Sequence, residues 1–226
     1  MAKLQPQAAP LPPEIIQLRQ TYQAAQARLV DIIASQNAKG NVTVYREAIM
    51  KSVKQELAVL DKFAYEWTNE NIPQYYGRSA EKVFTTFRKA NIVVGDVAAS
   101  TQAARIIAAN ATGQLVEANR FVGRVINDEI RQAGIDAVAE KLTAGDTVKQ
   151  TKANLIKKMT DRGVVAIRDA KGREISMDAY ADLVARSTTR EATNRGTMDS
   201  VQSLNQDLVQ MSQHSSACPV CAAYEG

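Results

Sequence analysis

The sequence is poor in the residues that most enzyme chemistry needs. Among 226 residues there are one histidine, two cysteines and one tryptophan. A lone His214 leaves no choice for a Ser-His-Asp triad and no two-histidine metal site within one chain. Cys218 and Cys221 are too few and too close in sequence to be the disulfide framework of a small secreted domain. No run reaches the ~18 apolar residues of a membrane span. The opening MAKLQPQAAPLPPE lacks the apolar stretch of a signal peptide. Cytoplasmic synthesis and no membrane partner are therefore expected. Gly-x-x-x-x-Gly-Lys-Ser/Thr, Gly-x-Gly-x-x-Gly and His-Glu-x-x-His are all missing, so nucleotide hydrolysis, dinucleotide binding and zincin chemistry have no support. An enzyme is not expected.

What is present is an ordinary globular balance, 45% apolar and 23% charged, on a chain long enough for one domain or two small ones. Four of the six prolines fall in residues 1–13, which reads as a flexible arm. Ile15, Leu18, Tyr22, Ala25, Leu29 and Ile32 then recur at 3-4 spacing. Asn37-Ala38-Lys39-Gly40-Asn41 reads as a stop, and Thr43 as the N-cap of a second helix. Met50, Val53, Leu57, Leu60, Ala64 and Trp67 repeat the same spacing. Two such seams joined by a short turn predict an antiparallel helical hairpin over 14–90.

Pro73 is expected to break the second rod, with a loop at Tyr75-Tyr76-Gly77 and helix resuming from Ser79 to Arg88. Further helices are expected over 91–160. One has Leu115, Ala118, Val122 and Val125 on a face, a short one covers 135–143, and one follows Gly145-Asp146-Thr147 with Val148, Leu155 and Met159 inside. Residues 91–100 read as a short β-like run or a connection. The aromatics at 63–87 read as core. Residues 161–226 read as a small α+β module. Val164–Arg168 and Arg173–Ile175 form a hairpin, Ser176 caps a helix, and Asp207–Ser212 alternates like a strand. The fold class is mainly α, an elongated helical hairpin or bundle followed by this module.

The formal charge of +4 is unevenly spread. Residues 149–195 carry 11 Lys/Arg against 6 Asp/Glu, whereas residues 196–226 carry none against 3. Lys149, Lys152, Lys157, Lys158, Arg162, Arg168, Lys171 and Arg173 are thus candidates for contact with DNA phosphates or an acidic partner; the plain alternative is a solvated helix face. His214, Cys218 and Cys221 are the one cluster of soft ligands, three donors where zinc takes four. A reduced terminus with an oxidisable pair is the alternative. Arg186, Arg190 and Asn194 fall at i, i+4, i+8 on one helix face. They are either an anion-binding stripe or part of a polar network in which Arg186 and Glu191 fix the helix against the hairpin.

Two stretches carry a resemblance. Asp169-x-x-Gly172-Arg173, then Met177-x-x-Tyr180-Ala181-x-x-Val184-Ala185-Arg186, then Arg190-Glu191-Ala192-x-Asn194, form the first. Asp207-Leu208-Val209-Gln210-Met211-Ser212-x-His214, Cys218-Pro219-x-Cys221 and Tyr224-Glu225-Gly226 form the second. Together they resemble the phage minor capsid proteins related to the Mu F-like head morphogenesis family. The resemblance implies a non-catalytic virion protein at the portal vertex, in few copies, with the portal, other capsid proteins and packaged double-stranded DNA as partners. It also implies a pattern continuing past Gly226 into a further His/Cys cluster, so that no cofactor is expected unless zinc is completed there.

Overall fold

Prolines set where the first rod begins. In the computed structural model, which describes residues 10–35, 42–92, 94, 101–139, 144–162, 164–168 and 171–206, α1 spans Pro13–Ser35. Pro13 occupies its first turn, where no N–H is needed, and Ile15 and Ile16 donate to the Pro12 carbonyl. After it come α2 (Val42–Lys89), α3 (Thr101–Ala139), α4 (Ala144–Arg162), β1 (Val165–Arg168), β2 (Glu174–Ser176) and α5 (Met177–Ser203). The mainly α class with a late β-hairpin is as the sequence implies.

The helical hairpin forms. Arg28 pairs with Glu56 at 2.8 Å, and Trp67 Nε1 donates to the Glu14 carbonyl at 2.8 Å, which sets α1 and α2 antiparallel. The buried seams drift from the expected spacing at the turn end, where Ile33 and Ile49 are enclosed and Ile32 and Met50 are only half-buried. A straight helix advances 3.6 residues per turn, so a strict 3-4 seam rotates off the contact face. On α3, Ile126 likewise takes the buried place expected of Val125.

Four boundaries differ from expectation, one of them at α4, which begins at Ala144 and so takes in Gly145, Asp146 and Thr147, expected to cap it. α2 runs unbroken through Pro73, and residues 75–77 are helical. Proline removes one hydrogen bond, but Ile72, Tyr76 and Ala80 on either side are buried, so packing holds the axis where local preference would break it. α2 begins at Val42, placing Thr43 inside the helix, and α3 continues to Ala139 where a separate helix from 135 was expected. The stop at 36–41, the run 95–100 and the strand at 207–212 lie outside the described residues.

α3 lies antiparallel to α2, since Asn119 reaches Asp61 at 2.7 Å and Thr112 meets Thr68 at 2.6 Å. α5 runs parallel to α2, with Asp178 at its start bonded to Gln23 and Gln26 of α1 and Asp199 near its end bonded to Tyr76 of α2. The result is a four-helix bundle of α1, α2, α3 and α5, whose core cluster extends from Ile15 to Ala192. α4 and the hairpin pack on the side of α3, where Leu155, Met159 and Val164 meet Val122 and Ile126. β1 and β2 pair antiparallel with a bulge between Val165 and Ile167, and Gly172 adopts φ +77°, a left-handed conformation that glycine takes without strain.

The α2–α5 contact is unusually close because α5 buries small side chains. Ala185, Thr189, Ala192, Gly196 and Ser200 follow one face. A Cβ on Gly196 would collide with the Tyr76 carbonyl oxygen and Ser79 Oγ, whereas a Cβ on Gly113 of α3 meets nothing within 4 Å. Gly196→Ala should therefore lower unfolding free energy by about 1–3 kcal/mol. Gly113→Ala should raise it by about 0.5–1 kcal/mol through helix propensity alone. Denaturant titration of both variants reads the opposite signs directly; two losses would contradict this packing.

Glu14 and Asp178 carry a pH signature. The Glu14 carboxyl is held below its ordinary 4.5 by its own backbone N–H, by the Tyr75 hydroxyl at 2.7 Å and by Arg78. Burial alone would raise Asp178, but hydrogen bonds from Ser176, Gln26, Gln23 and the Ala179 N–H outweigh it and leave it below its ordinary 3.8. A lowered folded value gives stability that is present above the unfolded pKa and lost as pH falls through the folded one. Thermal midpoints should accordingly fall from about pH 5 downward. Asp178→Asn should flatten part of that acid limb while lowering the midpoint at pH 7.

Candidate functional site

The segment carrying the sequence motif enters the bundle through a clamp on α1. Gln26 Oε1 accepts from the Val164 N–H at 3.0 Å while its Nε2 donates to Asp178 Oδ1 at 2.8 Å. The Val164 carbonyl in turn accepts from the Met177 N–H at 2.8 Å, closing the base of the β-hairpin. Ser176 stands at the N-cap of α5, but its hydroxyl donates to Asp178 Oδ1 at 2.7 Å and makes no capping bond to the helix. One glutamine thus ties the hairpin and the start of α5 to the first rod.

At the other end of α5, Asp199 accepts from the Tyr76 hydroxyl at 2.7 Å and pairs with Arg195 at 2.8 Å. Between these anchors, the polar run presents two faces. Arg186, Arg190, Glu191 and Asn194 are exposed, and Arg186 is paired with the buried Asp182 at 2.6 Å. Arg186 and Glu191 therefore do not fix the helix against the hairpin. The small residues beneath them do, and their spacing of 4-3-4-4 from Ala185 to Ser200 was the available signal.

The eight candidate cations are only partly brought together. Lys158 and Arg168 line one cleft of about 240 Å³ between α3, α4 and the hairpin. Each is neutralised there, Lys158 by Glu129 at 2.5 Å and Arg168 by Glu174 at 2.6 Å. Lys149 and Lys157 are exposed and Lys152 is half-buried, and none of the three has an ion pair with another described residue. Lys171 and Arg173 are exposed and take part in other interactions, while the side chain of Arg162 lies outside the described residues.

His214, Cys218 and Cys221 lie outside the described residues. Among the described residues, no group of three His, Cys, Asp or Glu could hold a metal. The three terminal donors alone fall one short of a closed tetrahedral zinc site, so they do not fit a structural zinc by themselves.

A second surface was missed in the sequence because residues 1–148 are nearly balanced in charge. Between α2 and α3 lies an open groove of about 940 Å³. Met50, Leu57 and Gly123 form its apolar floor, with the exposed Ala58 and Arg46, Lys51, Lys54, Arg120 and Arg124 among its other lining residues. Beneath it, Tyr22 of α1 is buried with Asn119, Asp61 and Tyr180 as polar neighbours, and burial pushes its phenol well above the ordinary 10.0. Among the described residues, the Tyr22 hydroxyl and Asn119 Oδ1 make no hydrogen bond of full geometry, although the Asn119 side chain lies beside the phenol.

The model of phage minor capsid protein 2 matches residues 15–226. No curated protein and no solved structure matches the chain. The matched span takes in α1 from Ile15 onward, α2 to α5, the hairpin and both motif stretches, and the chain belongs to the phage minor capsid protein 2 family.

Proposed function

We propose that this phage structural protein sits at the portal vertex of the head, in few copies, and supports head assembly and DNA packaging or delivery. Its role is to hold other head proteins in place, without catalysis. The observation that carries this reading is the family match over residues 15–226, which includes the whole bundle. The bundle suits the task. α2 alone has 48 residues and is about 72 Å long at 1.5 Å per residue, enough to link separate components of a shell. Among the described residues, no helix is long and apolar enough to cross a membrane.

Mass spectrometry of purified virions and procapsids is expected to find the chain at low copy number, cross-linked to portal protein. Absence from both particles would remove the reading, and a cross-link pattern confined to the major shell would remove the portal vertex from it.

Contact with packaged DNA is the second reading, favoured by the exposed Lys149 and Lys157 beside the half-buried Lys152 on α4. Each neutralised phosphate contributes about −0.9 to the slope of log affinity against log salt. Three lysines therefore predict a slope of about −3 in duplex titrations, and Lys149→Glu with Lys157→Glu should remove about two thirds of it. Duplex binding whose slope those variants leave unchanged would place any DNA contact elsewhere on the chain.

A further inference from the structure

We propose that the α2–α3 groove is a docking site for an acidic amphipathic helix of another head protein. The source of that helix rests on the head-component reading; its chemistry rests on the groove. The groove extends from Arg46 to Asp61 along α2, about 22 Å, which matches roughly four turns of a bound helix. Its floor is open because Gly123 presents no side chain, and a Cβ there would lie 3.2 Å from Leu57 Cδ1. Met50, which leaves the hairpin seam, is half-buried at this floor. Tyr65 lies one turn beyond Asp61 on the same face of α2 and is 60% exposed, an aromatic suited to anchor an apolar partner residue.

Charge selects the occupant. Five cations line the groove against two carboxylates, Glu47 and Asp61. Asp61 already accepts from Asn119 Nδ2, which directs part of its charge inward. Arg124 and Arg120 share Glu117 at 2.8 and 3.9 Å, whereas Arg46, Lys51 and Lys54 have no ion pair with another described residue. An apolar floor with an excess of cations at its edges complements a helix with Leu-like residues at i, i+3, i+4 and i+7 and Asp or Glu on both flanks.

The test uses the full chain and a fluorescein-labelled peptide of about four turns, with leucines on one face and glutamates on its flanks. Its controls are a scrambled peptide of the same composition and a version with lysine replacing glutamate. Saturable binding of the acidic helix is expected, with neither control binding. Lys51→Glu with Lys54→Glu should weaken it about tenfold or more, with the thermal midpoint unchanged because both side chains are exposed. Gly123→Leu, which fills the floor, should weaken it similarly. Equal binding of the scrambled or lysine peptide overturns the proposal, as does indifference to the charge-reversed pair. A photo-cross-linker at the exposed Ala58 in infected cells then identifies the source. An adduct on an acidic helical segment of another head protein supports the proposal, and an adduct only on a second copy of this chain, or none, overturns the assigned partner. Peptide binding by a chain absent from virions would leave the groove's chemistry standing and remove the head reading alone.

Discussion

The structure depends on how closely α5 lies against α2. Helices normally pack 8–10 Å apart, and the distance is set by the side chains between them. Here the intervening residues of α5 are Ala185, Thr189, Ala192, Gly196 and Ser200, and at Gly196 the approach leaves no room even for a methyl group. That closeness lets α2 run unbroken through Pro73, because Ile72 and Tyr76 on either side of the proline are buried. It also positions Asp199 to accept from Tyr76. The motif-bearing segment is therefore the fourth wall of the bundle, fixed at one end by Gln26 and Asp178 and at the other by Tyr76 and Asp199.

The paired rods were legible because each has a long apolar seam whose period directly reflects helix geometry. Ile15 to Leu29 and Val53 to Trp67 are enclosed as their spacing implies. The hairpin from Val165 to Ser176 was legible for a similar local reason, a β-branched run followed by a glycine turn. Pro73 misled because proline's penalty is local while the compensation comes from α5, more than a hundred residues away. The same holds for Gln26 and Asp178, whose bond spans 152 positions. Of the two readings of Arg186, an anion-binding stripe or an inward polar network, the second fails, because Arg186 is exposed and neutralises Asp182 from outside.

Charge counted along the chain and charge counted over the surface give different pictures. The excess in residues 149–195 is partly neutralised from outside that stretch, since Glu129 of α3 meets Lys158, while Arg168 pairs with Glu174 inside it. The balanced first part of the sequence instead gathers five cations on one groove, because α2 and α3 bring Arg46, Lys51 and Lys54 beside Arg120 and Arg124. Such a field arises only when two antiparallel helices are aligned in a particular register, and no window of sequence contains it.

That register is held by polar pins more than by apolar contacts. Asp61 with Asn119 and Thr68 with Thr112 stand seven residues apart on each helix, two full turns of an antiparallel pair. Apolar seams tolerate sliding by a turn, whereas a slid pair here would break the two bonds that cross between the helices, Asn119 to Asp61 and Thr68 to Thr112. The layer carries a cost of its own, because the buried Tyr22 hydroxyl lies beside the Asn119 side chain without a hydrogen bond of full geometry. A protein selected for stability alone would replace such a layer with leucines. Here the polar layer fixes how α2 and α3 align, and one of its members, Asp61, lines the groove between them.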